Sequence, residues 1–91
     1  MEIKIINYIT QNIPLAAFLA AHKETGIGKV YFSQHDNYAY IELFYAEQNK
    51  IQFDKYINEF ANKIVVVDID RYEKNKKFIS GLIVKKRPKG N

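Results

Sequence analysis

The sequence has no cysteine and no tryptophan, a single methionine, two prolines and four glycines. Without cysteine there can be no disulfide staple, no thiolate nucleophile and no cysteine-ligated zinc. Small secreted domains usually depend on such staples, so a reducing, cytoplasmic setting is the expectation. Long apolar runs are missing as well. The stretch from Leu15 to Ala21 is far too short to span a bilayer, and no membrane partner is expected. Glu2 stands where a signal peptide would carry positive charge, and Asn7, Thr10, Gln11, Asn12 and Pro14 break the segment that would have to be apolar. No glycine-rich phosphate loop and no nucleophile elbow occurs, and neither His22 nor His35 has a signature neighbour. A non-enzymatic protein without a cofactor is therefore expected.

What is present suffices for one domain. The chain has 91 residues, 47% of them hydrophobic and 26% charged, which are globular values. Seven tyrosines and six phenylalanines imply a core built on large rings. Residues 1–87 read as a single domain and 88–91 as a short basic tail. The charge is unevenly placed. Residues 1–70 hold six lysines against nine acids, a net of −3, whereas residues 71–91 hold eight Lys or Arg against one acid, a net of +7. This polarity is the strongest functional signal in the sequence.

Along the chain, residues 2–9 alternate as a strand until the pattern slips at Ile6. A helix with Pro14 in its first turn should carry Leu15, Phe18, Leu19 and His22 on one stripe, and Gly26 should end it. Residues 29–35 and 38–45 read as a hairpin turning at Asp36-Asn37. Ala39, Ile41, Leu43 and Tyr45 share one face of its second strand, and Tyr38, Tyr40, Glu42 and Phe44 share the other. Phe53, Tyr56, Ile57 and Phe60 form the stripe of a helix over about 49–62. The β-branched run at 64–67 reads as a short strand. Asp68 or Asp70 should cap a last helix that Pro88 ends, Asp70 with Glu73 having the spacing of a capping box. The fold class is α+β, a mostly antiparallel sheet with three helices in the order β-α-β-β-α-β-α.

Several of these segments keep a recognisable order: Ile13-Pro-Leu-Ala-Ala-Phe-Leu, Val30-Tyr-Phe, Tyr40-Ile-Glu-Leu-Phe-Tyr, Phe53-Asp-Lys-Tyr, and Val66-Val-Asp-Ile-Asp-Arg-Tyr continuing to Ile83. Together they resemble a small uncharacterised family, a domain of unknown function from prokaryotes, phages and other mobile elements. Its pattern is an early "LAAYL" helix, an aromatic hairpin and a "V-D-x-x-x-Y" entry to a last helix. The likeness covers most of residues 8–84. No activity is assigned to that family, so it supplies no functional residues. It implies a context, that of a phage or mobile-element accessory protein.

Two surfaces carry the functional expectation. The first is the basic set Arg71, Lys74, Lys76, Lys77, Lys85, Lys86, Arg87 and Lys89. On a helix, Lys74, Lys77 and Gly81 face away from Tyr72, Ile79 and Ile83, which gives a cationic outer side suited to phosphates. Lysine dominates, so contact with the backbone of a nucleic acid is expected rather than base reading. The same residues also read as dipole complements and a solubilising end. The second surface is the aromatic row Tyr38, Tyr40 and Phe44, which can stack bases or anchor a protein if left open, or be covered by helices or a second subunit. Asp68, Asp70 and Glu73 could hold Mg²⁺, but helix capping explains all three and no metal is expected. The leading expectation is a non-catalytic accessory protein associated with nucleic acid through its basic last helix and tail. The alternative is a protein-interaction module, such as a phage-encoded inhibitor of a host defence protein or a self-associating structural component.

Overall fold

The computed structural model describes residues 2–33, 35–64 and 67–87. Strand β1 (Ile5–Thr10) leads into helix α1 (Ile13–Ala20); β2 (Thr25–Phe32) and β3 (Ala39–Ala46) form a hairpin; a 3₁₀ turn (Glu47–Asn49) leads into α2 (Lys50–Ala61); and α3 (Ile69–Lys86) follows. The strands make one antiparallel sheet in the order β1-β3-β2. The α+β class, the antiparallel sheet and the three helices agree with the sequence reading. The short strand expected at 64–67 falls partly on residues 65 and 66, outside the described residues. Ile64 beside them is exposed and is not in a strand.

All three helices lie on one face of the sheet. That face presents Ile41, Leu43 and Tyr45 from β3, Val30 and Ile27 from β2, and Ile6 and Tyr8 from β1. Helix α1 is the centre of the core: Ala16, Ala17, Phe18 and Leu19 are each buried to 1% exposure or less. A helix apolar all round must be enclosed, and α1 is, by the sheet on one side and by α2 and α3 on the others. The Asn12 side chain caps it, its Oδ1 accepting from Leu15 N (3.0 Å), with Pro14 in the first turn. Ring packing fills the rest. Phe53 of α2 stacks on Tyr45 (4.0 Å) and meets Tyr8 edge-on (5.3 Å), while Phe60 packs on Phe18 (5.4 Å).

Three details depart from the sequence reading. Helix α1 ends at Ala20 rather than running to Gly26, so His22 follows the helix, and Gly26 lies inside β2. The reason is across the strands. The Phe44 ring lies over Gly26, and a Cβ there would overlap the ring, so the glycine lets the ring lie flat on the strand. Strand β2 consequently begins at Thr25, four residues earlier than expected. It also contains a bulge: Ile27 pairs with Leu43 and Val30 with Ile41, so β2 has one extra residue there. Without it, residues three apart would point to opposite faces. The bulge turns both Ile27 and Val30 inward. Third, Asp68 is the cap of α3, accepting from Asp70 N (2.9 Å) and Arg71 N (3.2 Å), and the Asp70–Glu73 capping box does not form; Glu73 instead faces Lys76 at 3.6 Å.

Helix α2 ends in a Schellman motif, with Ile64 N donating to Glu59 O (2.8 Å) and Lys63 N donating to Phe60 O (3.0 Å). The motif needs a left-handed residue, and Lys63 supplies it at φ 61°. A side chain there is strained by about 1 kcal/mol relative to glycine. Lys63→Gly should therefore raise stability by about 0.5–1 kcal/mol, a rise in Tm of a few degrees for a domain of this size, measured by thermal and denaturant unfolding. An unchanged or lower midpoint would show that the strain is not real.

Candidate functional site

Helix α3 is placed by a close approach to α1. Ala16 and Ala17 offer no bulk, Ile79 and Ile83 fill the inner side, and Asn75 Nδ2 donates to the Ala17 carbonyl (3.2 Å). With that side fixed inward, the opposite side must face solvent. Arg71, Lys74, Phe78, Gly81 and Lys85 follow one another at steps of three and four residues, so they form one outward stripe flanked by Lys77 and Val84. Arg71, Lys74, Lys77, Lys85, Lys86 and Arg87 are exposed, and none has a carboxylate within ion-pair distance among the described residues. Lys76 behaves differently. It faces Glu73 and lies over the Tyr72 ring at 5.0 Å, so it is held along its own helix. Lys89 lies outside the described residues. Arg71, Lys74, Lys77 and Lys85 thus share the outward side of a helix about 27 Å long, while Lys86 follows Ile79 and Ile83 in register and is exposed in the last turn, and Arg87 lies just past the helix.

The outward side of α3 also holds two apolar groups that the sequence reading did not single out. Phe78 and Val84 are 55% and 69% exposed. With Lys77, Leu82 and Lys85 they ring Gly81, where an added Cβ would meet nothing within 4 Å. The signal was available: Phe78 is one residue before Ile79 and Val84 one after Ile83, and neighbours in a helix point about 100° apart.

The second surface is the sheet face that carries no helix. Tyr31 and Tyr40 are cross-strand partners with rings nearly parallel, 5.6 Å apart, and Lys29 Nζ lies 5.5 Å from the Tyr31 ring centre. Tyr40 is held by the hairpin turn, its hydroxyl donating to Asp36 Oδ2 (2.6 Å), while Asp36 Oδ1 accepts from Tyr38 N (3.0 Å). Asn37 takes the left-handed angle of the turn at φ 59°. Phe44 follows, over Gly26, then the outward isoleucines of β1. Tyr40 and Phe44 alternate with the buried Ile41, Leu43 and Tyr45 on β3 and so face the side away from the helices, Tyr40 half-buried and Phe44 exposed; Tyr38, just ahead of the strand, is exposed.

The histidines have structural surroundings. His22 Nδ1–H donates to the Phe18 carbonyl (2.9 Å) and the ring stacks on Tyr56 at 3.5 Å. His35 is in the hairpin turn, its backbone N donating to Ser33 Oγ (3.1 Å). No group of three or more potential metal ligands occurs among the described residues. An open apolar groove of about 650 Å³ between the helices, lined by Leu15, Ile57, Phe60 and Tyr72 with Lys63 at its side, carries no cluster of titratable groups. No helix among the described residues is long and apolar enough to cross a membrane. Comparison of the chain with protein-family models, with curated proteins and with solved structures finds no match.

Two outcomes follow from these surroundings. Gly81→Ala introduces a better helix former into open space, and should stabilise the protein by about 0.5–1 kcal/mol in denaturant unfolding. A loss of stability would mean that the outward side of α3 is occupied. The bond between Tyr40 and Asp36 favours the charged acid and the protonated phenol, so the Asp36 carboxyl is held below its ordinary value and the Tyr40 hydroxyl above its own. The stability this bond supplies is thus present above the unfolded carboxyl value and lost as pH falls through the lowered one; at the alkaline end it is lost as pH rises through the raised phenol value. Following the Tyr40 ring by NMR, Asp36→Asn should bring the phenol titration back down towards pH 10.

Proposed function

We propose that this protein is a non-catalytic accessory protein that associates with nucleic acid through the outward side of α3, the setting being that of a phage or mobile element. The observation that supports it most is the set of six exposed cations on and just beyond one helix, Arg71, Lys74, Lys77, Lys85, Lys86 and Arg87, none with a carboxylate partner among the described residues, against a body of net −3. Unpaired ammonium groups in a row neutralise successive phosphates and release counterions, a driving force that does not depend on base sequence. Lysine is a point charge on a flexible stem, so the contact positions the protein without specifying bases. The apolar groups beside the cations, Phe78 and Val84, can meet sugar and base edges once the phosphates are engaged.

A titration of labelled duplex DNA, single-stranded DNA and RNA across a salt series tests this. Binding should be measurable at about 50 mM salt, differ little among sequences and weaken steeply as salt rises. The double variant Lys77→Gln with Lys85→Gln should lower the slope of log K against log salt by about two contacts, with the thermal midpoint unchanged. Absence of binding at low salt removes the proposal.

A further inference from the structure

The helix-free face of the sheet is a largely apolar exposed surface, interrupted by Asn7 and Glu42, that the proposal above leaves unused. In the segment ahead of β1 and in β1 itself, Ile3, Ile5 and Ile9 lie on that side, exposed at 66%, 57% and 49%. On β3, Phe44 is 40% exposed, with the Tyr31–Tyr40 pair beside it and Tyr38 beyond. Isolated exposed apolar side chains need no explanation, but several gathered on one side of a sheet, with only Asn7 and Glu42 among them, point to an interface.

The chemistry of the face narrows what it meets. It is poor in cations: Lys29 is balanced by Glu42 on the same side and Asp36 at its end, so it lacks the charge a nucleic acid needs. Its apolar groups are in good part aliphatic, and isoleucine does not stack with bases. Because the face carries both signs in small number, a copy of itself related by a two-fold axis can set Lys29 of one chain against the acids of the other. The area also fits. The exposed portions of Ile3, Ile5, Ile9, Tyr38, Phe44 and the Tyr31–Tyr40 pair amount to roughly 600–800 Å², close to what each partner brings to an interface of standard size. Two antiparallel sheets of similar size pack well when aligned near −30°, with alternate side chains interdigitating.

We infer that this face is the dimer interface of the protein: a second copy packs sheet to sheet through Ile5, Ile9, Phe44 and Tyr40, with the helices outermost on both sides. The inference does not rest on nucleic-acid binding. Phe44 has a special part in it. Folded over Gly26, its ring lies flat against the strands and leaves a smooth surface for the partner.

Sedimentation and light scattering of the full chain across a concentration range test this in the absence of nucleic acid. The expected mass is twice the 10.7 kDa of one chain. Phe44→Glu and, separately, Ile9→Lys should return the mass to that of one chain while circular dichroism stays unchanged. Should either variant fail to fold, Gly26→Ala gives the same reading without adding charge, since it pushes the Phe44 ring off the sheet and should raise the dissociation constant at least tenfold. Ile51→Lys, at an exposed apolar residue on α2, should leave the dimer intact. A single-chain mass at the highest concentration overturns the inference. So does a dimer indifferent to Phe44→Glu and Ile9→Lys, or a monomer whose Tyr31 and Tyr40 NMR signals move on adding single-stranded DNA.

Discussion

The arrangement of the molecule depends on how closely α1 lets its neighbours approach. Eight residues long, it has no polar side to spare, and its two central alanines leave room for another helix to come near. The amide of Asn75 then fixes α3 to the Ala17 carbonyl across 58 positions of sequence. That bond and the alanine surface decide which side of α3 is inward, and so decide that its cations point to solvent. Enlarging Ala17 by three carbons would force α3 away at a cost of about 1–3 kcal/mol, and the charged stripe would turn with it. The candidate surface is thus set by a core contact on the other side of the same helix.

Enclosure of α1 has a second effect. Helices α2 and α3 both pack around it, and a three-stranded sheet is too narrow for them to reach its far side as well. Three helices could have been split between two faces; here the most apolar one draws the others to itself. The far face is left with the aromatic hairpin and the isoleucines of β1. What separates the two candidate surfaces is therefore the thickness of the domain, with cations on the helix layer and apolar groups on the strand layer.

Much of this was legible in the sequence. The hairpin and the split of its second strand into a buried and an outward face follow from strict alternation between Tyr38 and Tyr45, and the α2 stripe follows from the spacing of Phe53, Tyr56, Ile57 and Phe60. The outward set of cations could be read because helical spacing in α3 is unambiguous once Ile79 and Ile83 are assigned inward. Other features depend on partners distant in sequence. Gly26 looks like the end of a helix until Phe44 is seen lying over it. The bulge at Gly28–Lys29 cannot be read from β2 alone, because only pairing with β3 counts the extra residue. In β1, consecutive isoleucines hide the alternation, since Ile5 and Ile6 are equally apolar but lie on opposite faces.

Placing every helix on the same side of the sheet has a consequence for valency. A particle built from two such sheets set back to back carries one positively charged rod on each of its outer surfaces, pointing away from the other. Neither rod can assist its twin on a short stretch of polyanion. Each is free to take its own, so the assembly would tie together separate strands, or distant parts of one strand, and act as a cross-link rather than a clamp.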